Sequence, residues 1–196
     1  MKILCFTDLH GSDSIFEKIK EKSKKADLII ACGDISVFER DLSNLIKNLD
    51  NLGKRVFLIH GNHEDPSIMN ELCKKTKNVV FIHKKVVRVQ NCLIVGYGGG
   101  GFGDSDSEYE KFIMKAKKVF KKEDKLIFAF HGPPSDNKLD FIYGRHVGNK
   151  SYTKAIIKIQ PSIALCGHLH ENFNQMDYIG KTLLLNPGPR GKFVDL

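Results

Sequence analysis

No stretch of this chain stays apolar long enough to cross a bilayer. The longest apolar runs, such as LIIAC at 28–32 and LIFAF at 126–130, are strand-sized, far short of the roughly 20 residues a membrane-spanning helix needs. The N-terminus, MKILCFTDLH, meets the polar Asp8 and His10 before a secretory apolar segment can form, so no signal peptide is expected. Cysteine pairing is also missing. Cys5, Cys32, Cys73, Cys92 and Cys166 are odd in number, widely scattered and without a C-x-x-C pair. They read as buried free thiols of a reducing, cytoplasmic compartment rather than as a disulfide framework. Repeats, linkers and low-complexity tracts are absent too. At 196 residues the chain is long enough for one domain with a sizeable core and too short for two ordinary ones, so residues 1–196 read as a single domain.

What is present starts with positive charge. Lysine and arginine number 31 against 23 acidic residues, a formal net charge of +8, and the excess sits in clusters at 22–25, 74–77 and 115–125. Such a balance favours anionic partners in a general way. The clusters fall on expected helices whose other faces are apolar, which makes most of them solvated faces. They also lack the interleaved aromatics of a single-strand binding groove, so a nucleic-acid partner has no specific support.

Short apolar runs alternate with helical patterns through the first half. Strands are expected at 2–7, 27–32 and 55–60, and helices at 14–25, 40–52 and 66–75, the punctuation of βαβ units. Leu42, Leu45, Ile46, Leu49 and Leu52 fall on one helical face. After Val79 the pattern turns to paired strands at 85–90 and 92–96, joined at Asn91. A helix at 107–121 follows, with Tyr109, Phe112, Ile113, Ala116, Val119 and Phe120 as its apolar stripe. Then come a strand at 125–130, a long loop from His131 to about Lys150, a helix at 152–159, a strand at 162–166 and a hairpin at 172–185 turning at Gly180. The class is α/β.

The polar residues gather where the buried strands end. KILCF runs into Asp8 and His10, LIIAC into Gly33-Asp34, RVFLI into His60-Gly61-Asn62-His63-Glu64, LIFAF into His131, and SIALC into Gly167-His168-Leu169-His170. In α/β sheets, ligand sites lie beyond the carboxyl ends of strands, so these five loops are expected to converge on one crevice. Singly, each residue has an ordinary explanation, such as helix capping for Asp8 or Asp34 or a turn role for Asn62. Jointly they do not, because five of the eight histidines, His10, His63, His131, His168 and His170, are among them. Histidine with Asp and Asn is a donor set for divalent Mn, Fe, Ni or Zn. The lack of a cysteine in the set argues against a structural zinc site. In extended chain, residues i and i+2 project to one side, which would let Asp8 with His10, and His168 with His170, each aim two ligands into the crevice. Seven candidate ligands exceed what one ion needs and suit a two-metal centre. Two divalent ions against Asp8 and Asp34 would leave a positive site that attracts phosphate.

These clusters in this order, D8-L-H10, G33-D34, G61-N62-H63-E64, H131 and G167-H168-L-H170, resemble the calcineurin-like metallophosphoesterase superfamily across nearly the whole chain. The resemblance implies a four-layer α-β-β-α sandwich of two stacked mixed β-sheets flanked by helices. It implies that Asp8, His10, Asp34 and His170 hold one metal ion, and that Asp34 bridges to a second held by Asn62, His131 and His168. His63 then contacts the phosphate and assists the leaving oxygen as the catalytic residue, with Asn62 also reaching substrate. The cofactors implied are two divalent ions, manganese first, with iron, nickel or zinc as alternatives. H131-G-P-P, G-H168-L-H170-E and N186-P-G-P are similar to the small stand-alone members without a cap or regulatory domain. The expected activity is phosphoester hydrolysis, a phosphodiesterase in the first instance, by in-line attack of a metal-bridging hydroxide on phosphorus. The substrate class is a small phosphoester or a nucleotide. A monoesterase, a nuclease, or a binding scaffold without useful turnover are the alternatives.

Other polar residues carry less. Arg145 and His146, in the loop after His131, are candidates for substrate contact or for a solvent-facing role alike. Glu64, Asp65 and Glu171 are candidate anchors for the histidines, and His83 reads as a surface residue. Gly96, Gly98 and Gly101 spell a G-x-G-x-x-G, the fingerprint of a dinucleotide site. It follows the second strand of an expected hairpin rather than opening a βαβ unit, and no Lys-Ser/Thr follows it. Asp104, Asp106 and Glu108 put negative charge where a pyrophosphate would sit and suit helix capping instead. Residues 98–103 therefore read as a strand-to-helix loop.

Overall fold

The computed structural model describes residues 1–100 and 103–196. Strands β1 (Lys2–Phe6), β2 (Leu28–Cys32), β3 (Arg55–Ile59) and β4 (Val79–Phe81) run parallel, and β13 (Lys192–Asp195) closes the edge antiparallel to β1, giving the order β13-β1-β2-β3-β4. The second sheet is built from β5 (Lys85–Val89), β6 (Cys92–Tyr97), β7 (Lys125–Phe130), β10 (Ile163–Leu165), β11 (Met176–Ile179) and β12 (Thr182–Leu185), in the order β11-β12-β10-β7-β6-β5. Its central four strands are parallel, and hairpin partners β5 and β11 pair antiparallel at the two edges.

Alternation along the strands decides the layering, because successive side chains point to opposite faces. Ile3, Cys5, Leu28, Ile30, Cys32, Phe57 and Ile59 face the second sheet and meet Ile94, Ile127, Ala129, Ile163 and Leu165. Their neighbours Leu4, Phe6, Ile29, Ala31, Val56 and Leu58 face α1 (Asp13–Ser23), α2 (Leu42–Asp50) and α3 (Pro66–Cys73). On the far side Val95, Tyr97, Phe128, Phe130 and Ala164 pack under α4 (Ser107–Ala116) and α5 (Lys150–Ile159). Both faces of every central strand are thus buried, which is why those strands read as continuous apolar runs. The layers are helix, sheet, sheet, helix, as the resemblance implies.

Helix starts follow local chemistry. The Asp65 carboxylate accepts the N–H groups of Ser67 and Ile68, with Pro66 in the first turn; Asp106 accepts that of Tyr109; Asn149 accepts those of Ser151 and Tyr152. All five cysteines are buried and free. No helix among the described residues is long and apolar enough to cross a membrane.

Some elements differ from the pattern expected of the sequence. β4 and β13 are short edge strands, and the expected loop 131–150 contains a small hairpin, β8 (Phe141–Ile142) with β9 (Arg145–His146). The expected helix at 107–121 ends at Ala116 and continues as a 3₁₀ turn over Lys117–Val119. Gly101, at the middle of the glycine run, lies outside the described residues. Before it, Gly98 and Gly99 pass against His60: the Gly99 N–H donates to His60 O at 2.9 Å and the Gly98 N–H to His83 Nδ1 at 2.9 Å. His83 is therefore not the surface residue expected. It meets the His60 ring edge-on and packs tilted against Tyr97, and burial, with the nearby His60 and lysine charges, lowers its pKa to about 3, which keeps the imidazole a neutral acceptor.

Candidate metal centre

Five strand ends meet where the sheets close on one another. Backbone hydrogen bonds join the loops: Asp8 N donates to Gly33 O and His10 N to Asp34 O, both at 3.0 Å, and Gly167 N donates to His131 O at 2.7 Å. From the second sheet to the first, His131 Nδ1 bonds to Cys32 O at 2.9 Å, which turns Nε2 toward the cleft. Glycine is needed at two points of close approach. A Cβ on Gly61 would overlap Asp34 Oδ1, and one on Gly167 would overlap Thr7 Oγ1 and Asp8 Oδ2.

Asp8 and Asp34 are buried, each 2% exposed, beside the fully buried His131. Asp8 Oδ2 accepts Thr7 Oγ1 at 2.6 Å and His168 N at 3.0 Å, while Oδ1 is buried with no hydrogen-bond partner. Facing that oxygen are His170 Nε2 at 3.6 Å and His10 Nε2 at 3.8 Å, themselves 3.1 Å apart. Asp34 Oδ1 accepts His63 N at 3.0 Å; Oδ2 lies 3.2 Å from His131 Nε2 and 3.9 Å from His63 Nε2. Asn62 Oδ1 sits 3.1 Å from His131 Nε2 and 2.9 Å from His168 Nδ1. Asp8, His10 and His170 form one group whose ligand atoms lie within 4.8 Å of one another, and Asp34, His131 and His168 form a second. His10, Asp34 and His63 form a third that links them. A buried carboxylate oxygen without a donor, ringed by imidazole nitrogens and oxygens and no thiolate, fits first-row divalent ions.

The eight residues Asp8, His10, Asp34, Asn62, His63, His131, His168 and His170 are thus brought together. Most of them open onto a cavity of about 400 Å³ whose walls also include Ile142, Leu169 and Glu171. Arg145 is not among its lining residues. It lies exposed on β9 and lines an adjoining cavity that shares Ile142, His168 and Leu169. His146 holds the Asp140 carboxylate at 2.8 Å and fastens the hairpin rather than meeting the centre.

The chain does not aim its ligands by extended geometry. Asp8, His10, Asp34 and His168 have φ of 52°, 48°, 50° and 69°, so the i, i+2 expectation is replaced by left-handed backbone that turns each side chain inward at a conformational cost. Nor do the three expected acidic anchors hold histidines. Glu64 is buried and accepts four donors, Asp34 N at 3.1 Å, Ser36 N and Ser36 Oγ at 2.9 Å, and Gly61 N at 2.9 Å. It ties the loops after β2 and β3 together. Asp65 caps α3, and Glu171 accepts the Tyr143 hydroxyl at 3.3 Å. Sequence reasoning passed over Ser36, whose carbonyl meets His10 Nδ1 at 3.3 Å, and Phe38, whose ring lies 4.4 Å from that of His63. An exposed aromatic in the polar segment that follows Asp34 was the available signal.

Charge in the cleft is coupled. Burial disfavours the His131 imidazolium, but the hydrogen bond and charge of Asp34, then the charge of Asp8, outweigh it and raise the pKa to about 9. Burial likewise opposes ionisation of Asp34, and the bonds and charges of His131 and His63 override it, lowering the carboxyl to about 2. In the metal-free protein at neutral pH the pair is therefore His131⁺–Asp34⁻.

A profile of the family described as calcineurin-like phosphoesterase matches residues 1–172. An uncharacterized protein of Methanocaldococcus jannaschii is 32% identical over 205 residues, covering 99% of this chain and 91% of its own. Among solved structures, a protein of Thermus thermophilus superposes with a TM-score of 0.77 at 16% identity, over 95% of this chain and 88% of its own. A dimetal phosphatase from Danio rerio superposes at 0.58 with 9% identity, over 94% and 86%. At these identities the structural likeness speaks for the fold alone.

Three outcomes follow from the geometry. Metal coordination needs neutral His131, so loading the metal-free protein with Mn²⁺ at pH 7 should release protons, read by calorimetry in buffers of different ionisation enthalpy. The His131 pKa is raised on folding, so its contribution to metal-free stability is complete below pH 6.5 and is lost as pH rises through 9. The metal-free Tm should fall over that window and the loaded one should not. Glu64→Gln puts an amide N–H₂ where only acceptors serve; it should weaken metal binding about 10- to 100-fold by loosening Asp34 and Gly61 while the far-UV spectrum stays native.

Proposed function

The chain belongs to the calcineurin-like phosphoesterase family, and on that premise we propose that it is a dinuclear metal-dependent phosphodiesterase. The observation that carries the reading is the pair of ligand groups built on two buried carboxylates and bridged through His10, Asp34 and His63. In this reading Asp8, His10, Asp34 and His170 hold one ion, and Asp34, Asn62, His131 and His168 the other. Divalent ions held there acidify water to a nucleophile at neutral pH and absorb charge developing on the phosphoryl oxygens. The rest is work for side chains. The Asp34 carboxylate accepts the backbone N–H of His63, which fixes that residue at the cavity wall beside both ligand groups. Protonated His63 donates to the departing oxygen and so spares the leaving alkoxide a full negative charge. Asn62, one residue before it, places its amide at the same wall and contacts the phosphate.

Preference for a diester rests on the wall. Among the described residues, the lining contributes no Lys or Arg and does contribute Glu171, so a monoester dianion would meet one more negative charge and no cation beyond the metals and His63. A diester carries one charge and leaves its second organic group directed to the rim. Arg145, on the adjoining cavity, is placed to meet that group.

The test starts from metal-stripped protein. Adding Mn²⁺, Fe²⁺, Ni²⁺ or Zn²⁺ in turn, bis-p-nitrophenyl phosphate should be hydrolysed faster than p-nitrophenyl phosphate, with Mn²⁺ effective. The reverse order would make it a monoesterase, and no turnover with any ion would favour a binding scaffold. His63→Ala should keep a near wild-type metal content by elemental analysis while kcat falls about 10²- to 10⁴-fold; parallel loss of metal would refute its role.

A further inference from the structure

Among the described large hydrophobic side chains, the two most exposed are Tyr143 at 86% and Phe38 at 78%. Both belong to loops that end on the cavity of the metal centre. The Phe38 ring meets His63 edge-on, with centroids 4.4 Å apart. Tyr143 donates its hydroxyl to Glu171, and its neighbour Ile142 lines the cavity together with His63 and Glu171.

Both residues also hold backbone that their side chains disfavour, with φ of 46° at Phe38 and 50° at Tyr143. Glycine, asparagine and aspartate take this region readily, and bulky residues avoid it. In the β8–β9 hairpin, Tyr143 and Gly144 (φ 78°) are the two turn residues, and a turn with both φ positive calls for Asn, Asp or Gly at the first. In the loop after Asp34, Phe38 is followed by Glu39, also left-handed at 62°. Glu39 has an evident role there, since its carboxylate accepts Asp65 N at 2.7 Å and its N–H donates to His63 O at 3.2 Å. Phe38 has no such role: burial does not reward the ring and local propensity opposes it.

Strained residues of this kind persist where function uses them. A flat ring held in water beside a phosphoester site is complementary to a flat group covalently attached to the phosphate. The flat group that phosphodiesters in cells commonly carry is a nucleobase, and base–aromatic stacking tolerates any base because each has a π-face. We infer, resting on the phosphodiesterase reading above, that Phe38 and Tyr143 are aromatic platforms for a nucleobase, so that nucleotide phosphodiesters are the substrate class of this site. The two rings set specificity for the organic part of the substrate and leave the reacting atoms to the metal centre.

Two esters with one leaving group isolate the nucleoside: thymidine 5′-(p-nitrophenyl phosphate) and methyl p-nitrophenyl phosphate. Wild-type Mn²⁺-loaded enzyme should prefer the thymidine ester by about tenfold or more in kcat/KM. Phe38→Gly and Tyr143→Asn place residues that accept positive φ, so each should remove about tenfold of that preference, through KM. Each should leave the methyl ester within about twofold and the Tm unchanged or higher. Phe38→Tyr should keep the preference. Equal losses on both esters would overturn the inference and reduce Phe38 to a support for His63; an undiminished preference in both variants would overturn it as well. A second arm needs no turnover. Calorimetric titration of Mn²⁺-loaded protein should show adenosine 5′-monophosphate binding about tenfold tighter than ribose 5-phosphate, with the difference lost in both variants. Equal affinities in the wild type would overturn the inference. A base-dependent affinity without turnover of either ester would sustain it and count against the phosphodiesterase reading alone.

Discussion

Two carboxylates buried where the sheets meet set the terms for everything around them. Like charges out of water are costly, and the charge of Asp34 works against ionisation of Asp8. Burial is the largest influence on Asp8 and raises its pKa; the His170 imidazole facing it and the His131 charge overcome it and leave the carboxyl below its ordinary value. The imidazoles thus serve as partial counter-charges in the metal-free protein, yet Asp8 Oδ1 still has no donor. Divalent ions complete that balance in a way protein groups cannot, since each brings two charges into a space lined by lone pairs. A phosphoester would then meet a positive centre in a cavity whose described lining has no Lys or Arg.

Holding the carboxylates in place takes left-handed backbone in the loops that carry them. Left-handed non-glycine residues occur at Asp8, His10, Asp34 and His168, and again at Phe38 and Tyr143 on the rim. The strands feeding them are regular and buried on both faces. Close-packed layers of this sort supply the rigidity against which unfavourable loop conformations are maintained. Glu64 links these levels: one buried carboxylate gathers the N–H groups of Asp34, Ser36 and Gly61 and converts two separate strand ends into one fixed rim of the site.

Much of this is legible in the chain. Continuous apolar runs such as LIIAC identify strands buried on both sides, and the polar residues at five of their ends name Asp8, Asp34, Asn62, His63, His131 and His168 directly. Less legible is how loops aim their side chains, because φ depends on neighbours distant in sequence: the Asp8–His10 turn is set by hydrogen bonds to Gly33 and Asp34. Glu64 reads in the sequence as an anchor of histidines, whereas its partners are mostly backbone N–H groups, which carry no sequence signal. His83 reads as surface because its lysine neighbours suggest solvent, whereas its ring packs against His60 and Tyr97. β13 and the β8–β9 hairpin are too short for periodicity to reveal.

The chain by itself determined the alternation of strand and helix, the buried faces, and which residue types stand at which strand ends, because these depend on local spacing and side-chain chemistry. Tertiary structure alone decided by what backbone the loops aim their side chains into the shared cavity, that Arg145 lies outside it, and that Phe38 and Tyr143 stand at its rim. Those outcomes depend on how the sheets stack and on hydrogen bonds such as that from His168 N to Asp8, 160 residues apart, and through-space proximity of that kind leaves no periodic trace in a one-dimensional pattern.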